Sequence, residues 1–264
     1  MDSWLRDPRI ATRGFAHRWR SSVAAGNGED AFIALLEQHL RPDSDVLDLG
    51  CGHGELTLTL AARCRTIVGI EREAGYLELA KELAAEQKVT NVQFFLVNLA
   101  GVGDQERPFA GIPLADESID LFVNRRGPLL RRYLAEATRV ARRGALIVGL
   151  HPTGNIPAPP WRAELPEPYQ KVLMALSFDE VSGWVTDPLR TAGITDYCLW
   201  WIDVPEFLRT PYELYVRLGG AQAADAHDYQ AIAPQLTKIF EQHRTPQGIV
   251  LRHQRLLWQA YLPK

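Results

Sequence analysis

The sequence of 264 residues predicts an α/β fold, a seven-stranded and mostly parallel sheet with helices on both faces. Three observations lead to this prediction. Short apolar runs alternate with helical patterns, a glycine-rich turn follows the first run, and a long, partly charged strand comes last. Strand–helix–strand units form parallel sheets with right-handed crossovers. We expect the last strand alone to run antiparallel.

The predicted elements follow in order along the chain. Apolar residues at helical spacing between residues 14 and 41, broken at 25–28, predict two N-terminal helices. Strands are predicted at 46–49, 66–70, 92–97, 119–123, 145–150, 197–204 and 249–261. Further helices are predicted at 55–63, 73–87, 129–142, 180–192, 211–218 and 231–243. Glycine and proline predict loops at 100–118 and 152–168.

We interpret residues 1–264 as a single domain with three parts. Residues 1–43 supply N-terminal helices, 44–151 a ligand-binding core, and 152–264 further segments, with a helical insertion before the last strand. The last strand carries Arg252 and Arg255, which we expect on an exposed or edge-facing surface.

Composition excludes several classes of protein. The formal net charge is −3, from 29 basic and 32 acidic residues, which argues against strong non-specific binding to nucleic acid. No apolar run approaches the roughly 18 residues of a membrane span, and the first residues lack the apolar segment of a secretory signal. Three scattered cysteines indicate neither a disulfide framework nor a metal site. We therefore expect a cytoplasmic protein without metal.

The strongest motif is the glycine-rich segment VLDLGCGHGELTLTLA, residues 46–61. A strand that ends in such a loop before a helix places a ligand at the carboxyl edge of a parallel sheet. Glu55 occupies the third glycine position of the dinucleotide fingerprint, and a carboxylate there would repel a pyrophosphate. With Asp48 at the strand end, the loop suits a ligand that carries an ammonium and a sulfonium.

Three blocks together resemble one family. The first is the D-x-G-x-G-x-G pattern from Asp48 to Gly54, and the second is Glu71, 21 residues after Gly50. The third is the stretch IPLADESIDL at 112–121. These blocks resemble class I S-adenosylmethionine-dependent methyltransferases, in the small-molecule branch that includes ubiquinone-biosynthesis-type enzymes, over about residues 44–150. The resemblance implies a Rossmann-like sheet, S-adenosylmethionine as cofactor and S-adenosylhomocysteine as product.

The resemblance also implies cofactor-binding residues. Asp48 and the loop glycines would hold the methionine part, and Glu71 would hold the ribose hydroxyls. Asn98 falls where the family places the acid that contacts adenine, although Asp104 competes for that position. The expected cofactor-binding set is Asp48, Gly50, Cys51, Gly52, Gly54, Glu71, Arg72, Asn98, Leu99 and Asn124. Cys51, without a basic neighbour, is best interpreted as a small packing residue.

Candidates for the acceptor side follow the fourth and fifth strands. Asn124 would face the methyl donor, and His151 is a candidate general base because its unperturbed pKa lies near neutrality. A capping or core role for His151 is the alternative. Arg125 and Arg126 could bind an anionic acceptor or a cofactor carboxylate.

Three functions compete. Transfer of a methyl group to a small-molecule acceptor is favoured by the net charge and by the irregular insertions at 152–180 and 205–248. An RNA methyltransferase would use a basic surface of seven arginines, at 125, 126, 131, 132, 139, 142 and 143. The third is a protein that binds the cofactor without catalysis. We expect a monomer or homodimer with no membrane or nucleic-acid partner.

Overall fold

A computed structural model describes residues 8–13, 28–99, 111–153, 157–173, 176–219 and 228–263. Within these ranges seven strands form one sheet in the order β3-β2-β1-β4-β5-β7-β6. They are β1 Asp45–Leu49, β2 Thr66–Glu71, β3 Val92–Leu96, β4 Ile119–Arg125, β5 Ala141–Pro152, β6 Tyr197–Leu208 and β7 Ile249–Tyr261. Strands β1 to β5 pair in parallel, whereas β7 is antiparallel to both β5 and β6. The predicted sheet with an antiparallel last strand is confirmed.

Helices cover both faces of the sheet. They are α1 Pro8–Arg13, α2 Glu29–His39, α3 Glu55–Ala61, α4 Ala74–Glu86, α5 Leu134–Val140, α6 Glu167–Gln170, α7 Phe178–Thr191, α8 Pro211–Arg217 and α9 Tyr229–His243. Helix α1 was not predicted, and the first predicted N-terminal helix lies outside the described residues. No helix in the described ranges is long and apolar enough to cross a membrane.

The central strands are buried because both of their faces are covered. All five residues of β1 are buried, and its side chains alternate between two apolar cores. One core packs Leu47 and Leu49 against α5 and α7. The other core packs Val46 against α2 and α3. The carboxyl ends of the parallel strands are thereby held at one edge, where the predicted ligand loop lies.

The start of β5 differs from the prediction. The helix predicted at 129–142 is a 3₁₀ turn, Leu130–Arg132, followed by α5, and β5 already begins at Ala141. Arg142 explains the early strand, since its guanidinium binds Asp45 at 2.8 Å and Asp120 at 2.6 Å and so holds the chain beside β1 and β4.

The segment predicted as a loop at 152–168 contains a second 3₁₀ turn, Pro160–Glu164, and the start of α6. Two of its prolines, Pro160 and Pro168, occupy first-turn positions, where a missing N–H costs nothing.

The prediction for Arg255 was wrong. Strand β7 is flanked by β5 and β6, so it is not an edge strand, and Arg255 is only 2% exposed. Arg252 is exposed as expected and pairs with Asp203. Charge along a strand therefore did not reveal which of its faces is covered.

Strands β6 and β7 extend beyond the carboxyl end of β5. Pro152 of β5 pairs with Arg255, whereas the β6–β7 ladder continues from Asp203–Gln254 to Leu208–Ile249. Three helical segments pack on this extension around a separate apolar core. We call this unit the cap; it comprises residues 157–173, 203–219 and 229–254.

The contact between Gly149 and Trp258 gives a stability prediction. A Cβ on Gly149 would lie 2.2 Å from the buried indole, so we expect Gly149→Ala to lower the free energy of unfolding by about 1–3 kcal/mol. Urea unfolding measures the change. Gly75→Ala is the matched control, because a Cβ there meets nothing within 4 Å, and it should leave stability unchanged or raise it. Equal stability of both variants would contradict the packing.

Candidate cofactor site

The glycine loop between β1 and α3 is fixed by the end of β2. The backbone amides of Gly50 and Cys51 both donate to the Ile70 carbonyl, at 2.9 and 3.0 Å. The amide of Gly54 donates to the Cys51 carbonyl at 3.0 Å and closes the turn. The loop is thus positioned by the backbone, with little help from its own side chains.

The loop glycines are required by backbone conformation and by space. Gly50, Gly52 and Gly54 have φ values of 80°, 57° and 81°, a left-handed region that favours glycine. A Cβ on Gly54 would lie 3.1 Å from the Cβ of Ala80, whereas one on Gly52 would meet nothing within 4 Å. Gly52 therefore borders open space, into which its backbone can present a ligand surface.

Glu71 lies at the end of β2 against this loop. One carboxylate oxygen, Oε2, accepts from the Gly52 amide at 2.9 Å. The other, Oε1, accepts from the amides of Arg72 and Glu73 at 2.7 and 3.1 Å. Three backbone donors thus hold the carboxylate, and its remaining lone pairs can accept from a vicinal diol.

Asp48 is a buried carboxyl group beneath the loop. It is 2% exposed, and its Oδ2 accepts from the Thr57 hydroxyl at 2.7 Å. Burial raises the pKa of Asp48 to about 6, and the Thr57 hydrogen bond and the charge of Arg125 oppose that shift. The group carries negative charge at neutral pH in a place where a cationic ligand would compensate it.

The turn after β4 packs directly on the glycine loop. A Cβ on Gly50 would lie 3.1 Å from the Cα of Gly127, and one on Gly127 would lie 2.1 Å from the Leu49 carbonyl oxygen. Asn124 holds this turn: its Oδ1 accepts from the Gly127 amide at 2.9 Å, and its Nδ2 donates to the Pro128 carbonyl at 3.0 Å.

Asn124 is itself fully buried, and Nδ2 also donates to the hydroxyl of Tyr133. Its side-chain amide is therefore engaged with the chain, and the structure places it as a support of the turn.

Arg125 and Arg126 form ion pairs with glutamates at the first positions of α2 and α3. The guanidinium of Arg125 lies 3.1 Å from Glu55 and 3.7 Å from Glu29. Arg126 pairs with the same Glu29 and has a φ of 61°, unusual for a side-chain-bearing residue. Burial lowers the pKa of Arg126 to about 9, and the charge of Arg255 contributes.

His151 lies at the carboxyl end of β5 and is buried. Its ring stacks on Trp258, with centroids 5.9 Å apart. Burial lowers the pKa of His151 to about 4, so the imidazole is neutral at pH 7. Among the described residues, Nε2 has no hydrogen-bond partner.

The remaining predicted residues surround the same edge. Cys51 is buried, and burial raises the pKa of its thiol, which agrees with a packing role. Arg72 is exposed and pairs with Glu73 at 3.2 Å. Asn98 is partly buried just after β3, whereas Leu99 points into the apolar core. Asp104, the alternative to Asn98, lies outside the described residues.

Several residues of this edge were missed by the sequence analysis. Glu29 resembled an ordinary acidic residue in the first turn of a helix, and Thr57 an ordinary helical residue. Arg255 resembled an exposed strand residue. The register of β7, the contacts of Glu29 and the hydrogen bond of Thr57 to Asp48 reveal them, and no local pattern carries that information.

The groups present fit S-adenosylmethionine. Gly52 borders open space, Glu71 presents a fixed carboxylate, and the buried Asp48 adds negative charge beneath the loop. A molecule with a sulfonium, an ammonium and a ribose matches these groups better than a pyrophosphate does. Within the described ranges, no three His, Cys, Asp or Glu side chains could hold a metal ion.

The relatives found among known proteins match only part of this chain. The chain is 46% identical over 67 residues to the 23S rRNA (uracil(1939)-C(5))-methyltransferase RlmD of Xanthomonas axonopodis pv. citri. The RlmD protein of Klebsiella pneumoniae is 47% identical over 60 residues. The matched region is 25% of this chain and 15% of the Xanthomonas protein, so only a small part of that protein is shared.

Solved structures share the fold over most of the chain. The YcgJ protein of Bacillus subtilis superposes with a TM-score of 0.58 at 16% identity, over 89% of this chain and 99% of that one. A geranyl diphosphate C-methyltransferase of Streptomyces coelicolor A3(2), solved with Mg²⁺, geranyl diphosphate and S-adenosyl-L-homocysteine, gives 0.51 at 16% identity, over 89% and 79%. These likenesses support the fold.

A match to a family model, in addition to this fold, shows the family to which the chain belongs. The model of a methyltransferase domain family matches residues 40–172, half of the chain, and this range includes the glycine loop, Glu71, the turn after β4 and His151. The chain therefore belongs to the methyltransferase domain family, within the class I S-adenosylmethionine-dependent methyltransferases.

Proposed function

We propose that the chain transfers the methyl group of S-adenosylmethionine to a small-molecule acceptor. The observation that carries this proposal is the cap, which stands beyond the carboxyl end of β5 on its own apolar core. An enclosing unit beside the methyl donor suits a ligand that can be surrounded and shielded from water. Residues 152–264 would thus supply most of the acceptor side.

The distribution of the arginines supports the same conclusion. An RNA methyltransferase would present them as a continuous basic surface. Instead, Arg139 binds Glu136 and Asp116 at 2.8 and 2.6 Å. Arg125, Arg126 and Arg142 also pair with carboxylates. Four of the seven arginines predicted to form a basic surface are therefore locally neutralised.

The cofactor supplies an activated methyl group, and the chain supplies its binding and orientation. We propose that Glu71 accepts from the ribose hydroxyls and that the Gly52 backbone lies against the bound molecule. Asp48 would stabilise the cationic methionine part. Asn124 acts through the turn that it holds, which packs on the loop at Gly50. Asn98 follows β3 at the same edge and stays a candidate for the adenine contact.

The proposed ribose contact predicts a loss of affinity in Glu71→Gln. The substitution removes the charge from an acceptor already held by three amides, so we expect S-adenosylhomocysteine to bind about tenfold to a hundredfold more weakly. Calorimetric titration measures the change. Glu73→Gln, an exposed neighbour, is the matched control and should bind as the wild type does. Unchanged affinity in Glu71→Gln would remove Glu71 from the ribose site.

The buried carboxyl of Asp48 predicts opposite effects on stability and affinity. Its pKa is about 6 in the folded chain, whereas the ordinary value of an aspartate is 3.8, so the folded state binds more protons between these values. Stability contributed by this group is present below about pH 4 and is lost as the pH rises through 6. We expect Asp48→Asn to raise the free energy of unfolding at pH 8 by up to about 3 kcal/mol.

Asp48→Asn should also weaken binding of S-adenosylmethionine, because it removes the negative charge that would compensate the positive charge of the cofactor. Urea unfolding at pH 4.5 and pH 8 together with calorimetry gives both quantities. Asp43→Asn, in the exposed turn before β1, serves as control and should change neither. A less stable Asp48→Asn protein at pH 8 would show that the buried charge is compensated within the chain.

His151 is the candidate proton acceptor. Its imidazole is neutral at pH 7 because burial lowers the pKa of His151 to about 4. The carbonyl of the preceding residue, Leu150, accepts a hydrogen bond from the Arg126 amide, and this bond places His151 beside the turn after β4. A neutral imidazole can take up the proton that an acceptor loses as it is methylated.

Product formation tests the function itself. We expect S-adenosylhomocysteine to form with members of a small-molecule acceptor library and not with transcribed ribosomal RNA. In the same assay, His151→Asn should lower turnover while the affinity for S-adenosylhomocysteine stays unchanged. Methylation of RNA alone would favour the alternative function. Equal turnover in His151→Asn would assign His151 to packing against Trp258.

A further inference from the structure

An open cleft lies at the outer end of the cap. It has a volume of about 670 Å³ and is formed where the end of β6, the end of α9 and the turn 245–248 meet. Phe207 and Arg209 line it from β6, and Phe240 and Arg244 line it from α9. Sites for small ligands have volumes of roughly 300–1,000 Å³, so the cleft is large enough to hold one.

The cleft is remote from the edge of the sheet at which the glycine loop lies. Pro152, the last residue of β5, lies level with the pair Ile202–Arg255 of the β6–β7 ladder. The pair Leu208–Ile249, beside the cleft, comes six residues later along β6. At about 3.3 Å per residue this separation is roughly 20 Å. A compact molecule in the cleft is therefore not the molecule that receives the methyl group, and the inference below does not depend on the proposed function.

The two arginines of the cleft carry positive charge that the described part of the chain leaves uncompensated. Among the described residues, the guanidinium of neither Arg209 nor Arg244 has an ion pair or a hydrogen bond. Glu213 lies near Arg209, but its carboxylate accepts from the Arg209 backbone amide, at 2.6 Å. Both guanidiniums are exposed and can bind an anion that enters the cleft.

The other arginines in the described ranges of the cap are engaged by the chain. Arg162 donates to two backbone carbonyls, at 3.0 and 2.7 Å. Arg217 binds Glu206 at 2.7 Å, and Arg252 pairs with Asp203. The arginines of the cap that lack a described partner are thus the two that line the cleft.

The cleft also has an apolar wall and a fixed backbone. Phe207 is 37% exposed, whereas Phe240 belongs to the apolar core of the cap. The amides of Thr245 and Gly248 each donate to the carbonyl of the other, at 2.8 and 3.1 Å, and this closes the turn. A Cβ on Gly248 would lie 2.2 Å from the Leu208 carbonyl oxygen, so the turn packs tightly on the end of β6. An exposed phenyl ring beside two arginines on a fixed backbone is typical of a binding site.

We propose that this cleft binds a second small molecule, one that combines an aromatic ring with a carboxylate or a phosphate. The guanidinium fork matches the paired oxygens of both anions, and it also stacks on aromatic rings. Phe207 and Phe240 provide the apolar surface against which the ring of the ligand packs. A ligand held in this way joins β6, α9 and the turn between α9 and β7, so its binding stabilises the cap.

Calorimetric titration of the full chain with three naphthalene compounds tests the proposal. The probes are 2-naphthoate, 2-naphthyl phosphate and the neutral 2-naphthylmethanol, at constant ionic strength and with S-adenosylhomocysteine present in excess. We expect at least one of the two anions to bind about tenfold or more tightly than the neutral compound, because the guanidiniums recognise its charge. The anion that binds more tightly distinguishes a carboxylate ligand from a phosphate ligand.

Substitutions in the cleft assign the binding to its residues. Arg209→Gln and Arg244→Gln should each weaken binding of the anion about tenfold and leave binding of 2-naphthylmethanol as in the wild type. Phe207→Ala should weaken binding of all three probes. Arg143→Gln, an exposed arginine near the start of β5, is the matched control and should bind the probes as the wild type does. Because Arg209 and Arg244 are exposed, both glutamine variants should unfold at the wild-type Tm.

Three results would overturn the proposal. The first is a wild-type protein that binds neither anion. The second is equal affinity for the anions and for 2-naphthylmethanol, since the charge would then have no part in recognition. The third is binding of the anion that survives both arginine substitutions, because the ligand would then lie elsewhere on the chain. None of these results bears on methyl transfer, which the product assay measures separately.

Discussion

The attachment of the glycine loop to the end of β2 is the constraint on which the site depends. The Ile70 carbonyl accepts from two consecutive loop amides, and the Glu71 carboxylate accepts from a third. A loop of small residues has no side chains with which to hold its own conformation. Because β2 is paired on both sides within the sheet, the loop takes its rigidity from the sheet. The turn after β4 then packs on that loop at Gly50.

Charges of opposite sign are buried on the two sides of this edge. Beneath the loop lies the carboxyl of Asp48, and on the acceptor side lie the guanidiniums of Arg126 and Arg255. Each departs from its ordinary pKa because burial disfavours its charged form. Arg126 is paired with Glu29, so part of this buried charge is compensated within the chain. Preorganised charge at the same edge can also stabilise a charged ligand.

The sheet and the cofactor loop could be predicted because their signals are local. Apolar runs and the glycine pattern from Asp48 to Gly54 predicted the strands, the loop and the sheet edge at which the loop lies. The role expected for Glu71 came from the resemblance to the methyltransferase family. The end of α5 could not be predicted, because the strand conformation at Ala141 depends on pairing with Ile119 and on the contact of Arg142 with Asp45.

The acceptor side was predicted only in outline, for the same reason. Whether Arg255 is buried depends on which strands flank β7, and the contact of Glu29 with Arg125 joins elements far apart in sequence. Asn124 was predicted to face the methyl donor, yet its amide is engaged by Gly127 and Pro128. Polar residues at a strand end can serve the turn or the ligand, and only the three-dimensional contacts distinguish the two.

The strand order has a consequence for folding. Strand β7 follows β6 in the chain but inserts between β5 and β6, so β5 is an open edge until β7 arrives. That edge includes apolar residues such as Ile147 and Val148, and unpaired apolar edges invite association with other chains. The half of the sheet that bears the cap therefore forms late and through contacts distant in sequence, which slows folding. The half that contains β1 to β5 is built from local strand–helix units and can form before the half that bears the cap.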